Sequence, residues 1–280
     1  MQLKQITFME STLQKLEEIK KHGYRLDFGQ TLEQAFENYK KIALLAGAVI
    51  LLIVVIMIVV WGSIVGILVG AGSFMETMTE MQADSLSSTA IIVNLFVGVV
   101  ATALVTPLYA GLLKIAHHAE TFKDYNFSTA FDHYKSSAFK EIVLGTVVVT
   151  LFAQGLTLIA QLLGSFTEFG EALWFKFLAG LIAVFISYMT FLMVPLIIFG
   201  NLKASQAISG SFVLVGKRFW TILLLLIVCF ICAMFGIIGL CIGIFFTLPI
   251  MYSIQYTIYR SAMGVDEEDE LDQIGFNTEE

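Results

Sequence analysis

Five long stretches without a charged residue alternate with charged segments along this chain. They cover residues 42–75, 85–113, 142–167, 177–202 and 219–259. A helix needs roughly 20 apolar residues to cross the hydrocarbon core of a bilayer, and each stretch is long enough. The last stretch would reach about 60 Å as a single helix, twice that thickness. Because Gly236 and Gly239 mark its expected reversal, the pattern predicts six transmembrane helices.

The second helix of each predicted hairpin carries a proline near its end. Pro107, Pro195 and Pro249 are the three prolines of the chain, in the settings TPLYAG, VPLIIFG and LPIMYS. Proline removes a backbone donor and clashes with the preceding turn, so it bends a helix. The repeated setting predicts three pseudo-repeated hairpins, with structural kinks at equivalent depths in preference to moving hinges.

A second repeat precedes the first two hairpins, as AFENYK at residues 35–40 and AFDHYK at residues 130–135. Phe36 and Tyr39 share one helical face, and a shift of 95 residues gives Phe131 and Tyr134. This pattern predicts that an amphipathic cytoplasmic helix precedes each hairpin and lies in the membrane interface.

Capping residues and composition set the boundaries of these segments. Thr31 and Ser128 are the expected N-caps of the first two interfacial helices. Residues 204–217 form a third copy, which keeps the small and apolar spacing without the aromatic pair. The repeats then cover about residues 31–113, 126–202 and 204–260 of a membrane domain that spans residues 31–260.

The first predicted span carries a stripe of small residues. Gly62, Gly66 and Gly70 recur at every fourth position, which permits close contact between helices. We expect this face to pack within the chain; packing against a second copy of the chain is the alternative. For the chain as a whole, the candidate protein partners are another membrane protein and a second copy of itself.

The distribution of basic residues predicts the orientation. With six spans, fifteen of the sixteen lysine and arginine residues lie on one side, and Lys176 is the exception. Basic residues mark cytoplasmic loops, so both termini are expected in the cytoplasm. Composition agrees, because 58% hydrophobic and 14% charged residues are typical of a chain whose partner is the lipid bilayer.

The two ends of the chain differ in character. Residues 1–30 form a charged segment without a cleavable leader, in which Leu13, Leu16 and Ile19 predict a helix over residues 11–21 that Gly23 closes. Residues 261–280 carry eight acids and no base, which predicts a disordered cytoplasmic tail and argues against a nucleic-acid partner.

The predicted spans contain no aspartate, glutamate, histidine, lysine or arginine in their inner parts, which disfavours an ion-coupled transporter. Interhelical hydrogen bonding is the expected role of their polar residues. A neutral substrate pocket is the alternative for three of them. The polar residues are Asn94, Thr102, Thr106, Gln154, Thr157, Gln161, Ser187, Thr190 and Gln255, and the three are Asn94, Gln154 and Gln161.

Histidine and cysteine do not form a recognisable metal or catalytic motif. Three of the four histidines, His117, His118 and His133, fall in the second cytoplasmic connection, without the spacing that puts two ligands on one helix face. His22 stands apart. The three cysteines lie in one apolar stretch, where a thiolate is disfavoured; they are Cys229, Cys232 and Cys241. We therefore expect no cofactor, no metal and no catalytic residue.

The segments MESTLQKLEEIKKHGYRLDFGQTLEQAFENYKKIALLAG and VPLIIFGNLKASQAISGSFVLVGKRFW resemble a multi-pass membrane family of flavobacteria and their relatives. The family is similar to the membrane domain attached to some glycerophosphodiester phosphodiesterases and to related domains of unknown function. The resemblance implies an all-helical fold in which a helix follows each proline before the next span. It implies no catalysis, because the phosphodiesterase chemistry belongs to a separate soluble barrel.

Members of this family often carry the label beta-carotene 15,15'-monooxygenase. That label implies iron held by several histidines, whereas no histidine of this chain lies inside a predicted span. The first expectation is therefore a non-enzymatic membrane scaffold or lipid-associated protein. A facilitator of an apolar or neutral small molecule and a membrane enzyme acting on a lipid-soluble substrate are the alternatives.

Overall fold

A computed structural model describes residues 2–69, 88–166, 173–238 and 243–264, and in these ranges the chain is helical, without a strand. The α-helices are, in chain order, α1 (Gln2–His22), α2 (Phe28–Val69), α3 (Ser88–Glu120), α4 (Phe139–Phe166), α5 (Leu173–Met189), α6 (Met193–Ile198), α7 (Ala204–Lys217), α8 (Phe219–Met234), α9 (Gly243–Thr247) and α10 (Pro249–Met263). Two 3-10 helices complete the described chain, at Phe127–Tyr134 and Phe235–Ile238.

Four helical segments are long and apolar enough to cross a membrane: Phe28–Val59, Gly98–Glu120, Phe139–Thr157 and Phe177–Ile198. A fifth follows if α7 and α8, which meet at an angle of 92°, form one broken span. By itself α8 has 16 residues, and its length of about 24 Å is short of the hydrocarbon thickness. The described helices thus establish four to five candidate spans, fewer than the six predicted.

The N-terminal helix predicted over residues 11–21 is present and begins earlier, at Gln2. Gly23 ends it with φ of 75°, and its N–H donates to the carbonyl of Ile19 at 2.7 Å. Leu16 and Ile19 are buried, and α1 packs against α7, where Leu16 lies beside Gly210. The apolar stripe of α1 therefore covers α7.

The first predicted interfacial helix is not a separate element. Phe36 and Tyr39 lie on α2, which continues without interruption into the first span. Residues 36–46 contain neither glycine nor proline, so nothing in this sequence breaks the helix. The expected cap was also wrong: the Asp27 carboxylate accepts from Gln30 N–H at 2.8 Å, while the Thr31 hydroxyl donates to the carbonyl of Asp27.

The second predicted interfacial helix is separate, but it is a 3-10 helix and not an α-helix. Asn126 caps it, in place of the expected Ser128, and accepts from the N–H groups of Ser128 and Thr129 at 2.9 and 3.3 Å. The backbone of Ala130 lies directly on Gly111 of α3, where a Cβ atom would come within 2.0 Å of the Ala130 carbonyl oxygen. This close backbone contact accompanies the tighter helix.

The segment predicted as the third copy, residues 204–217, is a distinct α-helix. The backbone N–H of Ala204, at the start of α7, donates to the Glu141 carboxylate at 2.8 Å. A negative charge at this end suits the helix dipole. At the other end, Arg218 separates α7 from α8 and donates through Nε to the carbonyl of Tyr24 at 2.6 Å.

The reversal predicted at Gly236 lies between α8 and α10, which pack against each other. Added side-chain bulk at Gly236 would meet Gly243 and Thr247, whose hydroxyl donates to the carbonyl of Ala233 at 2.7 Å. The two backbone segments approach closely because each has a glycine at this point, Gly236 in one and Gly243 in the other. Gly239 lies outside the described residues.

The chain divides into two compact units. The first comprises Met1–Ile50, Thr106–Gly145 and Met189–Glu280, and its core includes Ile42, Leu112, Leu192 and Ile222. The second comprises Leu51–Val105 and Thr146–Tyr188. Among the described side chains of the second unit, only Thr146 and Ala179 are buried.

Candidate functional site

The first unit contains a cluster of polar side chains from α2, α3 and α10, termed the polar cluster below. Its members are Asn38, Tyr109, Glu120, Ser253, Gln255 and Arg260. Each contact within it joins residues that are far apart in sequence, so the cluster ties three helices together.

An ion pair lies at one end of the polar cluster. Arg260 Nη1 donates to Glu120 Oε1 at 2.6 Å, and both side chains are largely shielded from solvent. Lys41 Nζ lies farther from the same carboxylate, at 3.8 Å from Oε2. A short, charge-assisted contact of this kind joins the last turns of α3 and α10, and removing one partner would leave a shielded charge.

Asn38 connects this ion pair to α10. Its Nδ2 donates to the Ala116 carbonyl at 2.7 Å and to Glu120 Oε2 at 3.3 Å, and its Oδ1 accepts from Ser253 Oγ at 2.9 Å. The side chain is 1% exposed. Because a buried amide costs free energy when its hydrogen bonds are lost, these contacts fix the register of α2 against α3 and α10.

Gln255 joins the three proline-bearing segments. Its Nε2 donates to the carbonyl of Phe191, and its Oε1 accepts from the Tyr109 hydroxyl. Phe191 lies in the turn between α5 and α6, four residues before Pro195, and proline has no N–H group to donate to the Phe191 carbonyl. Gln255 itself follows Pro249 on α10, and Tyr109 follows Pro107 on α3. The amide thus replaces the missing backbone donor and links all three motifs.

An aromatic group lies beside the polar cluster. The Phe199 ring is 5.0 Å from His117, 5.7 Å from Tyr256 and 5.5 Å from Tyr259, between ring centroids. His117 Nδ1 is 3.1 Å from the Tyr256 hydroxyl. These contacts place His117 in an aromatic environment on α3, so packing accounts for its position.

His133 occupies the position in the second repeat that Asn38 occupies in the first. It is 8% exposed, and its Nε2 atom has no hydrogen-bond partner. Its Nδ1 lies 3.3 Å from Ser136 Oγ. Burial and the charge of Lys114 lower the pKa of His133 to about 4 against the opposing charge of Asp132, so the imidazole is neutral at pH 7.

The remaining histidines and cysteines do not converge on one point. His118 Nδ1 lies 2.9 Å from the carbonyl of Asp124. Cys229 is buried and Cys232 is half-buried on α8, while Cys241 lies outside the described residues. Within the described ranges, no three histidine, cysteine or acidic side chains are close enough together to hold a metal ion.

The three prolines occupy different positions in their helices. Pro107 lies inside the continuous helix α3, Pro195 follows a turn at residues 190–192, and Pro249 is the first residue of α10. Of the glycine stripe, Gly62 has open space around it, Gly66 lies on α2, and Gly70 is outside the described residues.

The aromatic residues of the two repeats have different surroundings. Phe36 packs edge-on against Tyr39, whose hydroxyl donates to the carbonyl of Phe246 at 3.1 Å. Phe131 stacks on Tyr134 and also meets Phe127, and Tyr134 contacts Phe139 in turn. Burial raises the pKa of Tyr134 above its usual value. The first pair therefore braces another helix, whereas the second forms a local aromatic row.

Three hydroxyl groups of the second unit bond to carbonyls of their own helices. The hydroxyls of Thr102, Thr157 and Ser187 donate to carbonyls four residues earlier. The Gln154 side chain lies against Gly98. The structure does not describe the side chains of Asn94 and Gln161, so the neutral pocket predicted from these three residues lies partly outside it.

Sequence reasoning missed five members of the polar cluster: Asn38, Tyr109, Glu120, Ser253 and Arg260. A signal for Asn38 was present, because it shares its repeat position with His133 and a polar residue recurs there. The sequence marks Glu120 and Arg260 only as charged residues beside predicted spans, and it gives no sign that they pair.

No family model, curated protein or solved structure matches this chain.

Proposed function

We propose that this chain is a multi-pass protein of the bacterial inner membrane that acts as a non-enzymatic scaffold or lipid-associated protein. The proposal includes six spans in three hairpins, both termini in the cytoplasm, and membership of the family that the sequence resembles. The third hairpin would complete the count: α8 and the 3-10 helix after it together reach about 32 Å, enough for the fifth crossing, and residues 243–263 would reach about 32 Å as one helix, enough for the sixth.

The observation that carries this proposal is the pair of hydrogen bonds that the Gln255 side chain makes. A proline kink that serves as a hinge needs a freed carbonyl that can change partners, but the carbonyl of Phe191 is bonded to the Gln255 amide. That amide is in turn bonded to Tyr109. Breaking either contact exposes a polar group in an apolar region, so the kinked segments form one rigid assembly and support a structural role.

The ionisable groups near this assembly are also engaged with one another. Glu120 pairs with Arg260, and Lys114 pairs with Asp132 at 2.7 Å. The one buried side chain with an unpartnered nitrogen in the described residues, His133, is neutral, because burial and the charge of Lys114 lower its pKa. These features favour packing over chemistry.

Native mass spectrometry of the full chain, extracted into lipid nanodiscs, tests the proposal. We expect phospholipids, with or without a stoichiometric protein partner, as the retained components. A stoichiometric metal or non-lipid small molecule would contradict it. The variant Gln154→Leu serves as the matched control, because a small molecule retained by the wild type and lost from this variant would establish the facilitator instead.

A further inference from the structure

The loop after α3 holds a phenylalanine in a conformation that glycine normally adopts. Phe122 has φ of 55°, and the only other described non-glycine residue with positive φ is Asn201, a type that tolerates it. The N–H of Lys123 donates to the carbonyl of His118 at 3.0 Å, which closes a Schellman motif with Phe122 at the usual glycine position. The helix end is therefore formed at a backbone cost that a glycine would avoid.

The Phe122 side chain does not offset the cost of its positive φ by packing into the core. It is 68% exposed, and its described ring contact is with Lys41, whose Nζ lies 5.5 Å from the ring centroid. The Tyr125 hydroxyl donates to the carbonyl of Lys41 at 3.1 Å, so the loop is fixed to α2 at this residue. A strained residue that presents a large apolar ring to its surroundings indicates a binding role.

The charge around this ring is positive. Arg260, at 2.6 Å, already neutralises Glu120, which leaves the more distant Lys41 in excess. Lys123 adds a second positive charge within the loop, and the exposed Asp124 is the one acid there. A cation beside an exposed aromatic ring matches an anionic headgroup above an acyl chain.

The position in the fold identifies the occupant. The candidate span Gly98–Glu120 ends two residues before Phe122, so the loop follows at the level where a bilayer changes from acyl chains to headgroups. We propose that Phe122 and Lys41 form a binding site for one anionic phospholipid, with the ring against its acyl chains and the ammonium group on its phosphate. The inference rests on the proposed lipid-associated role and assigns it a site.

Competition between lipids tests this site. The full chain is placed in nanodiscs of equal parts phosphatidylglycerol and phosphatidylcholine, and the lipids it retains on release are counted by native mass spectrometry. We expect wild type to prefer phosphatidylglycerol, and Lys41→Gln to lower that preference about fivefold. Phe122→Gly should lower it as well, while its backbone suits the Schellman motif and keeps the fold.

Two control variants show whether the preference for phosphatidylglycerol comes from this site or from positive charge in general. Lys40→Gln removes the neighbouring lysine, which pairs with Glu37 and lies away from the ring, and should leave the preference unchanged. Lys41→Arg should retain it. Equal losses in the Lys40 and Lys41 variants, or no preference in wild type, would overturn the site while leaving the scaffold proposal intact. The scaffold proposal fails separately, on retention of a stoichiometric non-lipid ligand.

Discussion

The two segments AFENYK and AFDHYK share four of six residues but fold differently. The first lies inside the long helix α2, and the second forms a 3-10 helix. Even so, Ala35 and Ala130 are both fully buried, and Asn38 and His133 are both buried as well. The burial pattern is thus the same in two different backbone structures.

The spacing of the buried residues explains this result. The alanine and the polar residue stand three positions apart, and residues i and i+3 share a face in both an α-helix and a 3-10 helix. The segments differ instead in how the polar residue is satisfied. Asn38 bonds to three groups, whereas His133 keeps an unpartnered Nε2 atom. The two segments therefore share a buried face without sharing its hydrogen bonds.

The largest expected loss of stability comes from disrupting the contact between Gly111 and Ala130, which holds AFDHYK against α3. In Gly111→Ala the new methyl group would lie 2.0 Å from the Ala130 carbonyl oxygen, so the 3-10 helix must move away from α3. We expect a loss of about 4 kcal/mol in the free energy of unfolding, measured by denaturant titration in a mild detergent. Gly62→Ala, with open space around it, is the control and should be close to neutral. Equal effects would show that the Ala130 contact does not determine the position of the segment.

The second-largest effect compares Asn38 with His133, the polar residues at the same position of the two segments. Asn38→Leu removes three hydrogen bonds and leaves the Ser253 hydroxyl and the Ala116 carbonyl without this partner. The expected loss is about 3 kcal/mol by the same titration. His133→Leu removes an unsatisfied nitrogen, so its cost should stay below about 1 kcal/mol. A larger cost at His133 than at Asn38 would reverse the comparison.

The sequence predicts the helices and their apolar character, because charge-free length and i, i+3 spacing are local properties. It does not distinguish a 3-10 helix from an α-helix in AFDHYK, since the spacing suits both. Nor does it predict the polar cluster, whose contacts join residues as distant as Asn38 and Ser253. The interhelical role expected of Gln255 is confirmed, because an amide in an apolar helix needs partners. Which partners it finds depends on the packing of the proline-bearing segments.

The smallest of the three effects is the pH dependence that His133 gives to the free energy of unfolding. The pKa of His133 is about 4 in the folded chain, and that of an unfolded histidine is about 6.5, so between these values the unfolded chain binds more protons. Stability should therefore fall as the pH is lowered through this window, by about 2 kcal/mol at pH 5 relative to pH 7.

The variant His133→Asn changes AFDHYK to AFDNYK and removes the titrating group. Other groups titrate equally in both proteins, so the difference between wild type and variant isolates His133. We expect the wild-type curve of unfolding free energy against pH to lose about 2 kcal/mol more than that of the variant. Parallel curves would mean that water reaches the Nε2 atom and that burial imposes no cost on the charged imidazole. In that case, the two repeats would differ in helix type alone.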